Sequence, residues 1–280
     1  MEINIAKSAG FCTGVKRALK IAKHYAQKVD RIYMLGDIVH NETVVKEIKK
    51  LGIKKTARLT SGKNKTILIR AHGAPKKTYQ KAKKLGYKII DATCPMVKEI
   101  HKIARSHEKK GYKIIVIGDK KHDEVQGIVG QLNKQAIVIT PNSTINKKRI
   151  NNIKKAAVVT QSTQNIEKVT KVVDKLKNHI PKLKFINTIC KPTQQKQDEI
   201  KKMPYKNDIM LIVGSRTSAN TKRLYQISKV INKDTYWIRN VKDIKPGWFK
   251  NVKSVGITAG ASTPESSIKS VINKLKEFNQ

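Results

Sequence analysis

Short β-branched apolar runs alternate with lysine-rich helical patterns along the whole chain, and that alternation leaves few folds open. Strands are expected at Ile32–Leu35, Thr66–Arg70, Lys88–Ile90, Lys113–Ile117, Ala136–Ile139, Ala156–Thr160, Lys184–Ile186, Ile209–Val213, Thr235–Ile238 and Val255–Thr258. Helices are expected at Val15–Gln27, Asn41–Leu51, Pro75–Leu85, Val97–Lys110, Asp123–Gly130, Ile166–Asn178, Gln194–Lys202, Ala219–Asn232 and Pro264–Phe278. A strand returned through a helix lies parallel to its predecessor, so the fold class is α/β. There is no low-complexity linker. A weak structural repeat divides near Cys94 and Cys190.

The chain has three cysteines, each in a short turn between an expected strand and an expected helix. Cys12 lies in Gly10-Phe11-Cys12-Thr13-Gly14-Val15, Cys94 in Asp91-Ala92-Thr93-Cys94-Pro95, and Cys190 in Asn187-Thr188-Ile189-Cys190-Lys191-Pro192. Successive cysteines are 82 and 96 residues apart, about one small α/β unit each. A helix N-terminus favours the thiolate, the form that binds metal or attacks an electrophile. Three buried, unrelated thiols are the plain alternative. Structural zinc wants four protein ligands, usually with closely spaced pairs, and no such pair exists here. Three thiolates from distant turns suit an iron–sulfur cluster with one iron not held by protein, open to act as a Lewis acid. A thiol enzyme with Cys12 as nucleophile is a further reading.

Sixty lysines and arginines oppose twenty acids, a formal charge of +40. Such an excess points first to nucleic acid. The lysines are spread over nearly every helix, however, and aromatics that could stack bases are only 5% of residues. A solvated lysine coat accounts for the charge more simply, and attraction of an acidic protein partner is compatible with it. A basic nucleic-acid-binding protein with structural zinc or incidental cysteines is the alternative from another class. No apolar run reaches the length of a membrane span, so no membrane association is expected. Sparse, odd-numbered cysteines and the lack of a signal-peptide pattern lead to the expectation of a reducing cytoplasm.

In open α/β sheets ligands bind beyond the carboxyl ends of the strands. Those ends here carry six polar loops: 36–41, 70–73, 118–124, 160–163, 214–220 and 258–263. His40, His72 and His122 occupy the first three and can bind phosphate or relay protons; each alone is more simply a structural histidine. Ser218-Ala219-Asn220 and Ser262-Thr263-Pro264-Glu265 each open a helix. Ordinary capping explains either one, and two such termini with imidazoles would hold a diphosphate. Glu124 is either a helix N-terminal acid stabilised by the macrodipole or, in an enclosed pocket, the proton donor. There is no GxxxxGK[ST] or GxGxxG motif, which removes the commonest nucleotide readings.

These motifs, with Gly36-Asp37-Ile38-Val39-His40-Asn41, Arg70-Ala71-His72-Gly73, His122-Asp123-Glu124-Val125, Thr160-Gln161-Ser162-Thr163 and Thr258-Ala259-Gly260-Ala261-Ser262, span nearly the full length. Together they resemble the LytB-type 4-hydroxy-3-methylbut-2-enyl diphosphate reductase family of the methylerythritol phosphate route to isoprenoids. The resemblance implies three similar α/β domains arranged as a pseudo-threefold trefoil, at 13–95, 96–189, and 1–12 with 190–280. It implies one central 4Fe–4S cluster on Cys12, Cys94 and Cys190, with its open iron meeting the substrate hydroxyl. It implies a diphosphate among His40, His72, His122, Ser218, Asn220 and Ser262, protons from Glu124, and Ser162 and Thr163 near the substrate hydroxyl. The products would be isopentenyl and dimethylallyl diphosphate. An acidic ferredoxin- or flavodoxin-type electron carrier is the expected partner. This sequence departs from the family pattern at Asp123, where Pro is usual, and at Ser162, where Thr is frequent. It also has Pro192 and Lys196 where Ala and Arg are common.

Overall fold

The computed structural model describes residues 1–278. The chain divides into two compact units, Met1–Lys16 with Val39–Glu47 and the chain from Lys191 onward, and Arg17–Ile38 with Ile48–Cys190.

The strands are β1 (Glu2–Ile5), β2 (Ile32–Leu35), β3 (Lys54–Thr56), β4 (Thr66–Ile69), β5 (Lys88–Asp91), β6 (Lys113–Ile117), β7 (Ile137–Ile139), β8 (Lys155–Thr160), β9 (Lys182–Phe185), β10 (Ile209–Val213), β11 (Thr235–Ile238) and β12 (Ser254–Ala259). The helices are α1 (Thr13–Ala26), α2 (Glu42–Lys50), α3 (Lys76–Lys84), α4 (Pro95–Lys109), α5 (Asp123–Val129), α6 (Ile166–Lys177), α7 (Lys191–Lys202), α8 (Ala219–Ile231) and α9 (Glu265–Glu277). All nine expected helices and all ten expected strands form, with ends shifted by a few residues. Two strands, β1 and β3, were not expected.

Among the described residues, twelve strands make three four-stranded parallel sheets, ordered β3-β2-β4-β5, β7-β6-β8-β9 and β11-β10-β12-β1. The order is the same in each: second, first, third, fourth. In the third sheet the fourth place is taken by the strand at the start of the chain. The first two sheets belong to the second unit and the third to the first unit. Each sheet therefore has one switch point, between its first and third strands, where an open α/β sheet offers a ligand crevice. The six polar loops are the three pairs of loops at these switch points.

Alternation along the strands assigns the faces. In the second sheet Ile115, Ile117, Ala156 and Val158 pack against Val169, Val172, Val173 and Leu176 of α6. Ile114, Val116, Ala157 and Val159 point the other way, against Ile100 and Ala104 of α4 and Val125 and Ile128 of α5. The third sheet repeats this, with Leu211, Val213, Val255 and Ile257 on Ile268, Val271 and Leu275 of α9, and Met210 and Ile212 on Ile200 and Leu224. A strand covered on both faces reads as a continuous apolar run, which is why these strands were legible.

His101 of α4 is 4% exposed, and a Cβ added to Gly73 would stand only 2.9 Å from its Cε1. Burial, and then the nearby Arg105 charge, push this imidazole down to about 4. The folded value lies below the unfolded value near 6.5, so between these pH values the unfolded chain binds the extra proton. The contribution is fully present above about pH 6.5 and is lost as pH falls toward 4. The wild type should lose about 2 kcal/mol more between pH 7.5 and 5 than His101→Gln, read by thermal or denaturant unfolding. Parallel stability curves for the two proteins would refute this assignment.

Candidate active site

The switch point of the second sheet holds a buried carboxyl. Glu124, in the first turn of α5, is 2% exposed. Both of its oxygens accept from Ser162 at the end of β8, Oε1 from the backbone N–H at 2.5 Å and Oε2 from Oγ at 2.7 Å. The sequence departure at Ser162 thus keeps the hydroxyl that contacts Glu124. Gln161, which the sequence reading did not single out, braces the same place. Its Oε1 accepts from the Asp119 N–H at 2.9 Å and its Nε2 donates to Thr163 Oγ1 at 3.0 Å. Gly118 is obligatory there, since an added Cβ would lie 2.7 Å from Val125 and 2.9 Å from Gln161.

His122 caps α5, its Nδ1 accepting the Glu124 N–H at 3.1 Å. That bond assigns the proton of the neutral ring to Nε2. The His72 ring stands edge-on to it, centroids 5.3 Å apart. Arg70, two residues before His72, pairs with Asp123 at 2.6 Å. The acid found where the family usually has proline is therefore used as an ion-pair partner, fixing the loop after β4 to the start of α5. Gly36 has φ +75° and no room for a Cβ, which would meet the Arg70 guanidinium at 2.4 Å.

In the first unit, Ser218 caps α8 by accepting the Thr221 N–H at 3.3 Å. Asn220 in the first turn is 4% exposed, and neither its Oδ1 nor its Nδ2 has a hydrogen-bond partner among the described residues. A buried amide left without partners is costly and fits a ligand that would supply them. The α8 N-terminus is seated by glycines: a Cβ on Gly260 would lie 2.0 Å from Thr221 Oγ1, and one on Gly214 2.8 Å from it. Ser262 is buried after β12 and donates from Oγ to the His40 carbonyl at 3.1 Å. Asn41 caps α2, accepting from Thr43 and Val44.

Each cysteine follows the fourth strand of its sheet and stands at the start of a helix: Cys12 between β1 and α1, Cys94 between β5 and α4, Cys190 between β9 and α7. Each donates its N–H to a carbonyl in the loop after the third strand, Cys12 to Ala261 at 3.2 Å, Cys94 to Ala71 at 3.0 Å and Cys190 to Ser162 at 3.0 Å. The equivalence of the three turns is thus real. The expected cofactor, one 4Fe–4S cluster on these three thiols with an open iron, is not supported and is corrected here. Among the described residues, no group of three His, Cys, Asp or Glu side chains placed to hold a metal ion contains a cysteine. Each thiol belongs to the turn of its own sheet, and equivalent placement within repeats is not convergence of side chains.

A sequence model described as LytB protein matches residues 3–276. The chain belongs to the LytB family. It is 38% identical over 282 residues to the 4-hydroxy-3-methylbut-2-enyl diphosphate reductase of Aquifex aeolicus (strain VF5), across 99% of this chain and 97% of that protein. The reductase of the same name from Clostridioides difficile (strain 630) is 38% identical over 280 residues, 99% and 100% of the two chains. Among solved LytB-like structures, one described as (E)-4-hydroxy-3-methyl-but-2-enyl diphosphate reductase, the terminal enzyme of the non-mevalonate pathway, has a TM-score of 0.73 at 38% identity. It covers 99% of this chain and 100% of that one. The E-1-hydroxy-2-methyl-but-2-enyl-4-diphosphate reductase from Plasmodium falciparum has a TM-score of 0.88 at 29% identity, covering 98% and 88%. The α/β fold with three similar four-stranded sheets is the fold of this family.

Proposed function

We propose that this chain is an oxidoreductase that removes the hydroxyl of 4-hydroxy-3-methylbut-2-enyl diphosphate. It yields isopentenyl and dimethylallyl diphosphate in the last step of the non-mevalonate isoprenoid route. Two electrons and two protons enter and one water leaves. The observation that carries the reading at the level of chemistry is the buried Glu124 carboxyl bound through both oxygens to Ser162 at a sheet switch point. Cleaving a C–O bond with hydroxide as leaving group is slow, and protonation turns the leaving group into water. Glu124 supplies that proton, and the Ser162 hydroxyl, 2.7 Å away, is placed to pass it on, with Thr163 beside it.

The diphosphate is held by hydrogen-bond donors. His122, through its protonated Nε2, and His72 are among them. Ser218, Asn220, Ser262 and His40 are the others, the first two at the N-terminus of α8 where the helix N–H groups and the macrodipole favour an anion. Anaerobic assay of the purified protein with the diphosphate alcohol and a chemical reductant tests the function. The C5 diphosphates should appear with one water per two electrons, and no turnover would overturn the reading.

The chain works in the cytoplasm and takes its electrons from an acidic carrier of ferredoxin or flavodoxin type. No helix among the described residues is long and apolar enough to cross a membrane. The +40 charge favours an acidic partner, and exposed charges steer encounter over a screening length of about 8 Å at physiological salt. Turnover with a protein donor should fall several-fold more than turnover with a small reductant as salt rises from about 0.05 to 0.5 M. Equal salt dependence for the two donors would exclude a steering role for the lysines.

A further inference from the structure

The inward face of α7 is polar. Thr193, Lys196 and Gln197 are buried on it beside Ile200. Lys196 is 2% exposed, and its ammonium donates to the carbonyls of Ser8, Gly10 at 2.9 Å and Ala259 at 3.2 Å. Three acceptors match the three N–H bonds of an ammonium group. One turn further on, Glu199 does the reverse, accepting from the Ser8 N–H at 3.0 Å and from Ser8 Oγ at 2.5 Å. Opposite charges on one helix thus grip Ser8 at both its donors and its carbonyl.

The gripped segments lie where β1 and β12 no longer pair, although Ala259 still pairs with Val213 of β10. Pairing of β1 with β12 ends at Ile5 and Ile257. Beyond it the β1–α1 loop and the turn after β12 are joined by Gly10 N–H to the Ala259 carbonyl at 3.4 Å and Cys12 N–H to the Ala261 carbonyl at 3.2 Å. The next residue is Ser262. Lys196 spans both segments, so it sets the height of the Ala259–Ser262 turn against the loop beneath.

We propose that Lys196 and Glu199 form a charged clamp that positions the Ser262 hydroxyl for the diphosphate of the substrate. Both are positioning residues, acting through the backbone at Ser8, Gly10 and Ala259. The proposal rests on the reading of Ser262 as a diphosphate ligand. Arginine can reach the same carbonyls with its own N–H groups, whereas methionine fills the space and takes their charged donor from the Ser8 and Gly10 carbonyls.

The test compares Lys196→Met, Lys196→Arg, Glu199→Gln and Ser262→Ala with wild type. The measurements are KM and kcat for the diphosphate alcohol, inhibition by inorganic pyrophosphate, and amide hydrogen exchange across 8–13 and 260–263. Lys196→Met should raise KM and the pyrophosphate inhibition constant together by about ten-fold, with kcat changed much less and faster exchange in both segments. Lys196→Arg should stay within about three-fold of wild type. A folded Lys196→Met protein with wild-type constants, or an arginine variant as impaired as the methionine one, would overturn the clamp. Where Lys196→Met does not fold, Glu199→Gln decides: it keeps an acceptor for Ser8, and unchanged exchange and inhibition constants would overturn the proposal. If Ser262→Ala leaves both constants unchanged, the diphosphate role of Ser262 fails instead. Wild type inert toward the alcohol defeats the functional reading, and exchange, which needs no substrate, still decides on the clamp.

Discussion

Glu124→Gln is expected to lower turnover by about 10²–10⁴-fold, the usual range for losing a general acid, while substrate affinity and thermal stability stay near wild type. The amide has the same shape, and its oxygen still accepts the Ser162 N–H that now meets Oε1 at 2.5 Å. Its nitrogen replaces Oε2, so the Ser162 hydroxyl turns to accept instead of donating, and no transferable proton remains. Neighbouring acids do not substitute for it, because Asp123 is engaged with Arg70 at 2.6 Å. Steady-state kinetics, substrate affinity and a melting curve for the variant check the claim together. Turnover close to wild type would remove Glu124 as the proton source.

Asn220→Ala should separate stability from function. In the free protein its buried amide has no partner on either atom among the described residues, and an unsatisfied buried polar group costs about 1–3 kcal/mol. Truncation removes that cost and opens a small cavity, so the free protein should be as stable as wild type or more stable by about 1 kcal/mol. The diphosphate loses hydrogen bonds to a charged group, each worth about 1.5–3 kcal/mol, so affinity should fall by about 10–100-fold. Unfolding of the free protein and direct binding measurements give the two numbers. A destabilised variant that binds the substrate normally would mean that Asn220 is a structural residue.

The sequence and the structure agree where a physical pattern is local. Buried central strands such as Lys113–Ile117 and Ile209–Val213 were legible as apolar runs, and helices such as α6 showed an apolar stripe. β3 was not, because Lys54 and Lys55 are exposed on an edge strand and no face of it is apolar. β1 was missed for a related reason: Glu2-Ile3-Asn4-Ile5 is a short edge strand with no residue fully inside. The structure brings Glu124 to Ser162 and His72 to His122, pairs drawn from loops that follow strand ends. What could not be read was convergence between distant turns, and the cysteines are the instance. Equal spacing established that they occupy the same place in each sheet, and nothing in the spacing carried the distance between them. Lys196 was seen only as a departure from a family pattern. The signal that could have found it was helical periodicity, because positions 193, 196, 197 and 200 of α7 fall on one face with Ile200.

The third sheet completes itself with the first strand of the chain, Glu2 pairing with Ser254. On the ribosome β1 is therefore made about 250 residues before its neighbour. At the usual 5–20 residues per second it waits roughly 10–50 s without a partner. The second unit can build both of its sheets in that interval from strands that are consecutive in the chain. The first unit can close only when translation has passed β12, so its assembly comes last. Its waiting edge is short, four residues ending at an exposed Ile5, and is followed by Lys7, which limits the time-dependent risk of pairing with another nascent chain.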